Sequence, residues 1–504
     1  MGEQHHDAEE MSYGAGGDEF VVVPWPVLFR RKIEHRVTSS DRYRWWILWT
    51  VLAGLFAVNY TFTIFAVALP RLARDLGSTE NTLTWVITGP LLAFGVAAPA
   101  LGRAGDVYGH KRIYLVGMVG ALVAAALSAV AWSAGSLIFA RVLGGIEGAA
   151  TGAASMALIF RAFPPDDRVK AMGYWSLVGA GGPVIGVVIG GFVIEEFGWR
   201  WIFVAQVPLI AAAAVLALIV LPETERRQRG RLDKTGAVTL TVATVSVLFA
   251  LNRGPEWGWS SPAVVAGFLL GPIGAVAFVL AERRADEPLL PLRYLRQRNF
   301  GFAIAAQTLS NFAYLGGFIL APLLLTKVFG YDEREISWLV IARPIAFSVS
   351  APIAGYLAVR MGERTAAVVG TMAVTLSMLA FATIDRASSD LAIIGALILS
   401  GIGLGVSSPS VAASVGNAVE EKDLGIASAA QQVMTQVGVV AGIQLMVTIQ
   451  ASRQAESGLV GSFHDAYLFG AGVAFLGVVC ACFLRSYQRT DATTPAQRAG
   501  AGTS

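Results

Sequence analysis

Apolar stretches of about twenty residues recur from residue 46 to residue 484. That is the length an α-helix needs to cross the hydrocarbon core of a bilayer. Only 14% of the 504 residues are charged and 55% are hydrophobic, roughly half the charge fraction of an ordinary soluble domain. The chain therefore reads as an all-α membrane protein that crosses the bilayer many times. Its formal net charge of +3 says little about nucleic acid, and no nucleic-acid partner is expected. What matters is how the positive charges divide between the two membrane faces.

Cutting at charged, proline-bearing or glycine-bearing breaks gives fourteen candidate spans. They lie near 46–70, 83–102, 113–133, 136–160, 172–195, 199–221, 235–252, 262–281, 300–325, 337–358, 365–385, 391–415, 424–449 and 466–484. With the N-terminus inside, twenty-eight of the 38 Lys and Arg residues fall in inner segments and eight in outer loops. Arg141 and Arg343 are left inside spans. The positive-inside rule then places both termini in the cytoplasm of a multi-pass cell-membrane protein. No interior loop is long enough for a soluble domain, and no secretory signal peptide is visible. The run "FVVVPWPVLF" at 20–29 is too short to span and reads as an interfacial or mobile tail.

The sequence speaks against catalysis, cofactors and metals. It contains no Gly-x4-Gly-Lys-Ser/Thr phosphate loop, so ATP is not expected to drive it. His-Glu-x-x-His is absent, and His5, His6, His35, His110 and His464 all fall outside the spans. Cys480 and Cys482 are two residues apart on one helix, which suits neither a disulfide nor a metal site.

Two turns repeat. After span 2 the chain reads "LGRAGDVYGHKR" (101–112), and after span 10 "AGYLAVRMGERT" (354–365). Gly102 and Gly109 are seven residues apart, as are Gly355 and Gly362. Asp106 is placed to cap the next helix or pair with a base, and His110, Lys111 and Arg112 sit at the same face. Such a repeat points to a transporter fold built from two related halves, with its site at their interface.

Span 4 carries Arg141 and Glu147 in "RVLGGIEGAA". On insertion scales a charge at the bilayer centre costs about 2.5–3.5 kcal/mol, so it faces a cavity or a partner. Six residues apart on a 3.6-residue helix, the two lie about 120° from each other and do not form an i, i+4 pair. A carboxyl in a partly dehydrated site can load and release protons; a fixed ion pair holding helices together is the competing reading. Span 5 sets Gly182, Gly186 and Gly190 on one face beside Pro183, which suits close helix packing, a hinge, or both. Arg343 could attract an anionic group of a substrate or neutralise Glu147; a local pairing, or backbone carbonyls freed by the Pro344 break, is the competing reading. Asn59, Asn311, Gln307, Gln431, Gln432 and Gln436 add polar groups, with interhelical hydrogen bonding the simplest account of most.

These motifs resemble those of the major facilitator superfamily, specifically its fourteen-span drug:proton antiporter branch. That superfamily's loop pattern matches at Gly102, Asp106, Gly109 and Lys111 and departs at Val107 and His110. Arg141 followed by Gly144 and Gly145 is similar to a second motif, and "GGPVIGVVIGG" (181–191) to a third. "GWRWIFVAQVP" (198–208) is close to a fourth, with Gln206 where the branch writes Asn. In span 1 the branch commonly writes an Asp; here "YTFTIFAVALP" (60–70) has Thr61 in its place and Ala66 for an Asn.

The resemblance implies two six-helix halves, 45–221 and 300–484, two inserted transmembrane helices within 222–299, and cytoplasmic tails at 1–44 and 485–504. It implies proton-coupled efflux of a hydrophobic or amphipathic small molecule by alternating access. The resemblance ties the arginine at Arg141's position to proton coupling and makes Gly102, Asp106, Gly109 and Lys111 a cytoplasmic gate. At Glu147 the family's motif has a small residue, so the carboxylate is this chain's own feature, and by its chemistry Glu147 would be the proton carrier with Arg141 its modulator. Its implied partners are that small molecule, protons and the bilayer, without ATP. A lipid or lipid-precursor exporter of the same fold, and a non-transporting membrane sensor or assembly partner, are the alternatives.

Overall fold

The structure, a computed structural model, describes residues 42–61, 71–83, 85–223, 233–285, 288 and 292–485. The interfacial run at 20–29, Ala66 and most of the span-1 motif, and residues 486–504 lie outside the described residues.

The described chain is helical. The first half holds α1 (Tyr43–Asn59), α2 (Trp85–Tyr108), α3 (His110–Ala129), α4 (Ala134–Ala162), α5 (Pro165–Glu196) and α6 (Arg200–Val220). Next come α7 (Lys234–Trp257) and α8 (Pro262–Arg284). The second half holds α9 (Arg298–Leu324), then α10 in two segments (Glu333–Val340 and Ala342–Met361), α11 (Glu363–Phe381), α12 (Asp390–Asn417) and α13 (Leu424–Cys482). Short turns at Glu80–Leu83 and Leu292–Arg296 precede α2 and α9. Among the described residues, eleven helical segments are long and apolar enough to cross a membrane.

Local chemistry sets the helix starts. Ser133 caps α4 in a capping box with Ser136, and Asp332 does the same for α10 with Glu335, each pair satisfying helix-start donors reciprocally. Pro165 opens α5 at its first position, with Asp166 and Asp167 in the first turn, where a missing N–H costs nothing and negative charge is favoured. Gly109 (φ 99°) and Gly362 (φ 86°) make the two repeated turns, at backbone angles a side chain would oppose. The helices outrun the hydropathy cuts: α2 continues to Tyr108 and α5 begins at Pro165, and at the end of α2 the polar Arg103 and Asp106 are buried rather than left in water.

Gly458 breaks α13 with φ 71° and ψ 178°, and there the chain folds back. Gln450 Nε2 donates to Ser462 Oγ at 3.1 Å, and Gly470 returns against Met446. The two arms are therefore antiparallel.

Packing repeats between the halves. α4 packs on α2 and α3, as α12 packs on α10 and α11. Across the middle, α13 lies on α2 and α4, while α5 lies on α10 and α12. α7 lies against α2 and α13, and α8 packs on α7. That hairpin is closed by small residues: an added Cβ at Gly267 would meet Ser246 O at 2.9 Å, and one at Gly274 would meet Ala243 N at 2.8 Å. Such close backbone approach is how helices associate without a hydrophobic drive between them.

Candidate functional site

The repeated turns meet the opposite half. Gly102 of α2 packs on the start of α13, where an added Cβ would stand 2.5 Å from Ala429 Cβ and 2.7 Å from Gly425 O. Gly355 of α10 packs on the start of α5, where its Cβ would stand 2.9 Å from Val169 O. Equivalent glycines thus seat equivalent helix starts, and the latch is doubled.

Asp106 reaches across the same junction. Its Oδ1 accepts from Gly425 N at 2.8 Å and its Oδ2 from Ile426 N at 3.0 Å. A carboxylate on the unsatisfied N–H groups of a helix start gains from both the bonds and the helix dipole. The helix it caps is α13, not α3, the next one in the chain. His110 Nε2 stands 3.3 Å from Asp106 Oδ1. Lys111 approaches Glu223 at 3.4 Å.

Further bonds tie the halves at this positive-rich end. Buried Arg103 pairs with buried Asp423 at 3.4 Å, whose other oxygen accepts from Tyr294 OH at 2.8 Å. Arg161 Nη2 donates to Glu421 O at 3.1 Å. In the loop before Asp423, Lys422 and then Arg293 hold the Glu420 carboxyl below the usual carboxylate range. On the α5 side, Arg168 Nη1 donates to Gly416 O at 3.0 Å and to Asn417 Oδ1 at 2.9 Å. Asn417 Nδ2 and Ser414 Oγ in turn donate to Glu363, at 2.9 and 2.8 Å.

Away from that end lie the ionisable groups of the spans. Glu147 is 8% exposed, faces Gly120 of α3, and its Oε2 has no hydrogen-bond partner among the described residues. Arg141 turns the other way and donates from Nε to Val86 O of α2 at 3.5 Å. Their charges still interact. Gly145 lies against the α2 backbone at Pro90, and Gly152 against Gln432 of α13.

Arg343 is fully buried between α9, α10 and α12. It donates from Nη2 to Tyr314 O and stands over the Tyr314 ring at 3.9 Å. The structure does not bring it to Glu147. Asn311 bonds within its own helix, from Nδ2 to Gln307 O at 2.8 Å. Asn59 is the last residue of α1. A Cβ added at Gly182 would stand 3.6 Å from Phe56 of α1; the surroundings of Pro183, Gly186 and Gly190 lie outside the described residues.

Two residues gain roles that periodicity did not assign. Gln206 Nε2 gathers the carbonyls of Ala57 and Val58, at 3.0 and 3.3 Å, where α1 is ending; its motif position was the available signal. Arg253, counted among the outer-loop charges, is 4% exposed and lies over the Trp85 ring at 4.0 Å. An arginine four residues before a tryptophan at a helix end offered no such signal.

Two helical halves latched at one end by repeated turns, with ionisable groups buried between their helices, define a membrane transporter. The chain belongs to the Major Facilitator Superfamily, whose model matches residues 51–332 and 300–504; this is a family of secondary transporters, not enzymes. It is 31% identical over 474 residues to the puromycin resistance protein pur8 of Streptomyces alboniger, covering 90% of this chain and 93% of that one. It is 31% identical to the tetracenomycin C resistance and export protein of Streptomyces glaucescens, covering 84% and 79%. Among solved structures it resembles the human organic anion transporter MFSD10 (TETRAN), with a TM-score of 0.64, 16% identity and coverage of 87% and 99%.

Proposed function

We propose that this protein exports hydrophobic or amphipathic small molecules from the cell in exchange for protons, by alternating access of its two halves. The observation that carries the reading is the doubled latch, Gly102 on Gly425 and Gly355 on Val169. Two symmetric backbone contacts at one end are what a pair of rocking halves needs to close and release that end. The relatives named for antibiotic resistance and export support the direction and the kind of cargo. The positive-rich end is cytoplasmic, so the latched state faces outward.

Counting α1, α5 and both arms of α13 with the other helices gives fourteen crossings, with both termini in the cytoplasm. Glu147 carries the proton and Arg141 modulates it. The unpartnered Glu147 Oε2 supports this, because a buried carboxylate without donors is costly when charged.

Liposomes holding a pH-sensitive dye test the reading, with puromycin and tetracenomycin C as first cargoes and Glu147→Gln beside the wild type. Cargo-triggered proton flux in the wild type, lost in Glu147→Gln while cargo binding persists, is the expected result. Cargo movement without proton flux would refute antiport. Equal proton flux in both proteins would remove Glu147 from the coupling path.

A further inference from the structure

A groove of about 730 Å³ runs down the outside of the second half, between α10, α11 and α12. Ile345, Val349, Ile353 and Leu357 recur every four residues along α10, facing Val369 of α11 and Ile402 of α12. Ala346 and Ala354 keep the floor low, and Ser350 is its one polar lining residue. No described residue covers it: Val349 and Ile353 are 58% and 54% exposed. From Ala342 to Met361 the groove is roughly 28 Å long at about 1.5 Å per residue, close to the hydrocarbon thickness of a bilayer, about 30 Å.

At its positive-rich end stands Arg360. It lies three residues beyond Leu357 and seven beyond Ile353, hence on the groove's face of α10. Arg360 is exposed and has no ion-pair or hydrogen-bond partner among the described residues. Its neighbours at this end, Arg103, Arg161 and Arg168, each have one. Glu363, the nearest carboxylate in the chain, turns inward to Ser414 and Asn417. One turn before Arg360, Tyr356 bonds Tyr174 OH at 3.1 Å and lies under Lys170 Nζ at 5.8 Å. A cation and a tyrosine pair at the end of an apolar helix face mark the headgroup level of a membrane.

We propose that this groove seats an acyl chain of an anionic phospholipid from the leaflet at the positive-rich end, with Arg360 holding the phosphate. A planar guanidinium with free donors suits a phosphate bidentately, and the aliphatic trough supplies close packing for a chain that bulk lipid packs less well. A zwitterionic lipid would offer the trough and the same phosphate but set its own cation beside Arg360, so the occupant is anionic. The assignment requires only that the helices span the membrane and is independent of the cargo.

Native mass spectrometry of the full chain tests it, with phosphatidylglycerol and phosphatidylcholine of identical acyl chains offered in equal amounts. The wild type should retain one lipid with a several-fold preference for phosphatidylglycerol. Arg360→Gln should bring that preference to about one, while Arg360→Lys keeps part of it. Ile353→Trp, which fills the trough, should remove the retained lipid with Arg360 intact; Val349→Trp serves the same end if the first variant folds poorly. Equal retention of both lipids by the wild type would overturn the proposal, as would a preference that survives Arg360→Gln or a lipid that survives both tryptophans. Displacement of the lipid by puromycin would make the groove a cargo site instead.

Discussion

Both carboxylate oxygens of Asp106 accept backbone N–H groups that lie 319 and 320 residues further along the chain. Charge-assisted bonds of this kind are worth about 1.5–3 kcal/mol each against a loss of partner. Asp106→Asn keeps one acceptor and loses the charge, so the latch should weaken by about 1–2 kcal/mol, a five- to thirty-fold shift in the open fraction. A cysteine placed at buried Ser428, with Cys480 and Cys482 replaced, would report this as faster maleimide labelling in the Asp106→Asn background. Unchanged labelling would show that the cap does not hold the end shut. Gly102→Val and Gly355→Val act by volume instead, each driving a side chain into opposing backbone at a cost of about 1–3 kcal/mol. The two should raise labelling alike, because both glycines seat a helix start of the opposite half; an effect from only one would break the symmetry of the latch. The sequence identified Gly102, Asp106 and the turn they make, because spacing along one helix is local. It could not identify Gly425, Ile426 or Val169, because proximity between halves is created by folding.

At the scale of the elements, the α7–α8 hairpin is fastened unequally. To α2 it is held by Thr241 Oγ1 donating to Val96 O at 3.2 Å, by Leu248 seated at Gly95, and by Arg253 over Trp85. Against α13 it offers an aliphatic contact in which Leu248 and Leu251 meet Val440. Directional bonds resist sliding and smooth apolar surfaces do not, so the hairpin should travel with the first half. A short bifunctional maleimide joining cysteines at Val96 and Thr241 should leave efflux from cells near wild-type. One joining cysteines at Leu248 and Val440 should abolish it, whereas blocked efflux from the first bridge alone would reverse the assignment. Hydropathy revealed both helices, since a lipid-facing helix is apolar all round. It could not reveal which half they ride on, which depends on single contacts such as Thr241 to Val96. The break between the spans at 424–449 and 466–484 was legible, but its place was not: the helix persists beyond residue 449 through "QASRQAES" (450–457), whose Gln, Arg, Ala and Glu have good helix propensity, until Gly458 turns it back.

For the whole molecule, charge partition and helix packing are independent routes to the same architecture. The first uses no structure and divides the Lys and Arg residues unevenly between two faces. The second uses no charges and shows α4 with α2 and α3 matched by α12 with α10 and α11. Where they meet is the span count, since a twelve-crossing chain would keep all of 222–299 on one face. Fourteen crossings instead put the α7–α8 turn, with Gly258 at φ 86°, outside and Pro288 inside. Alkaline phosphatase, active only outside the cytoplasm, should therefore be active when fused at Gly258 and silent at Pro288. Activity at neither site would mean that α7 and α8 lie along the inner face. The fourteen-crossing proposal expects otherwise, because Val440, clustered with Leu248 and Leu251, stands sixteen residues from the start of its own arm and eighteen from the break at Gly458. In the fourteen-crossing proposal α7 runs through the bilayer beside α13, and its turn at Gly258 emerges on the far side.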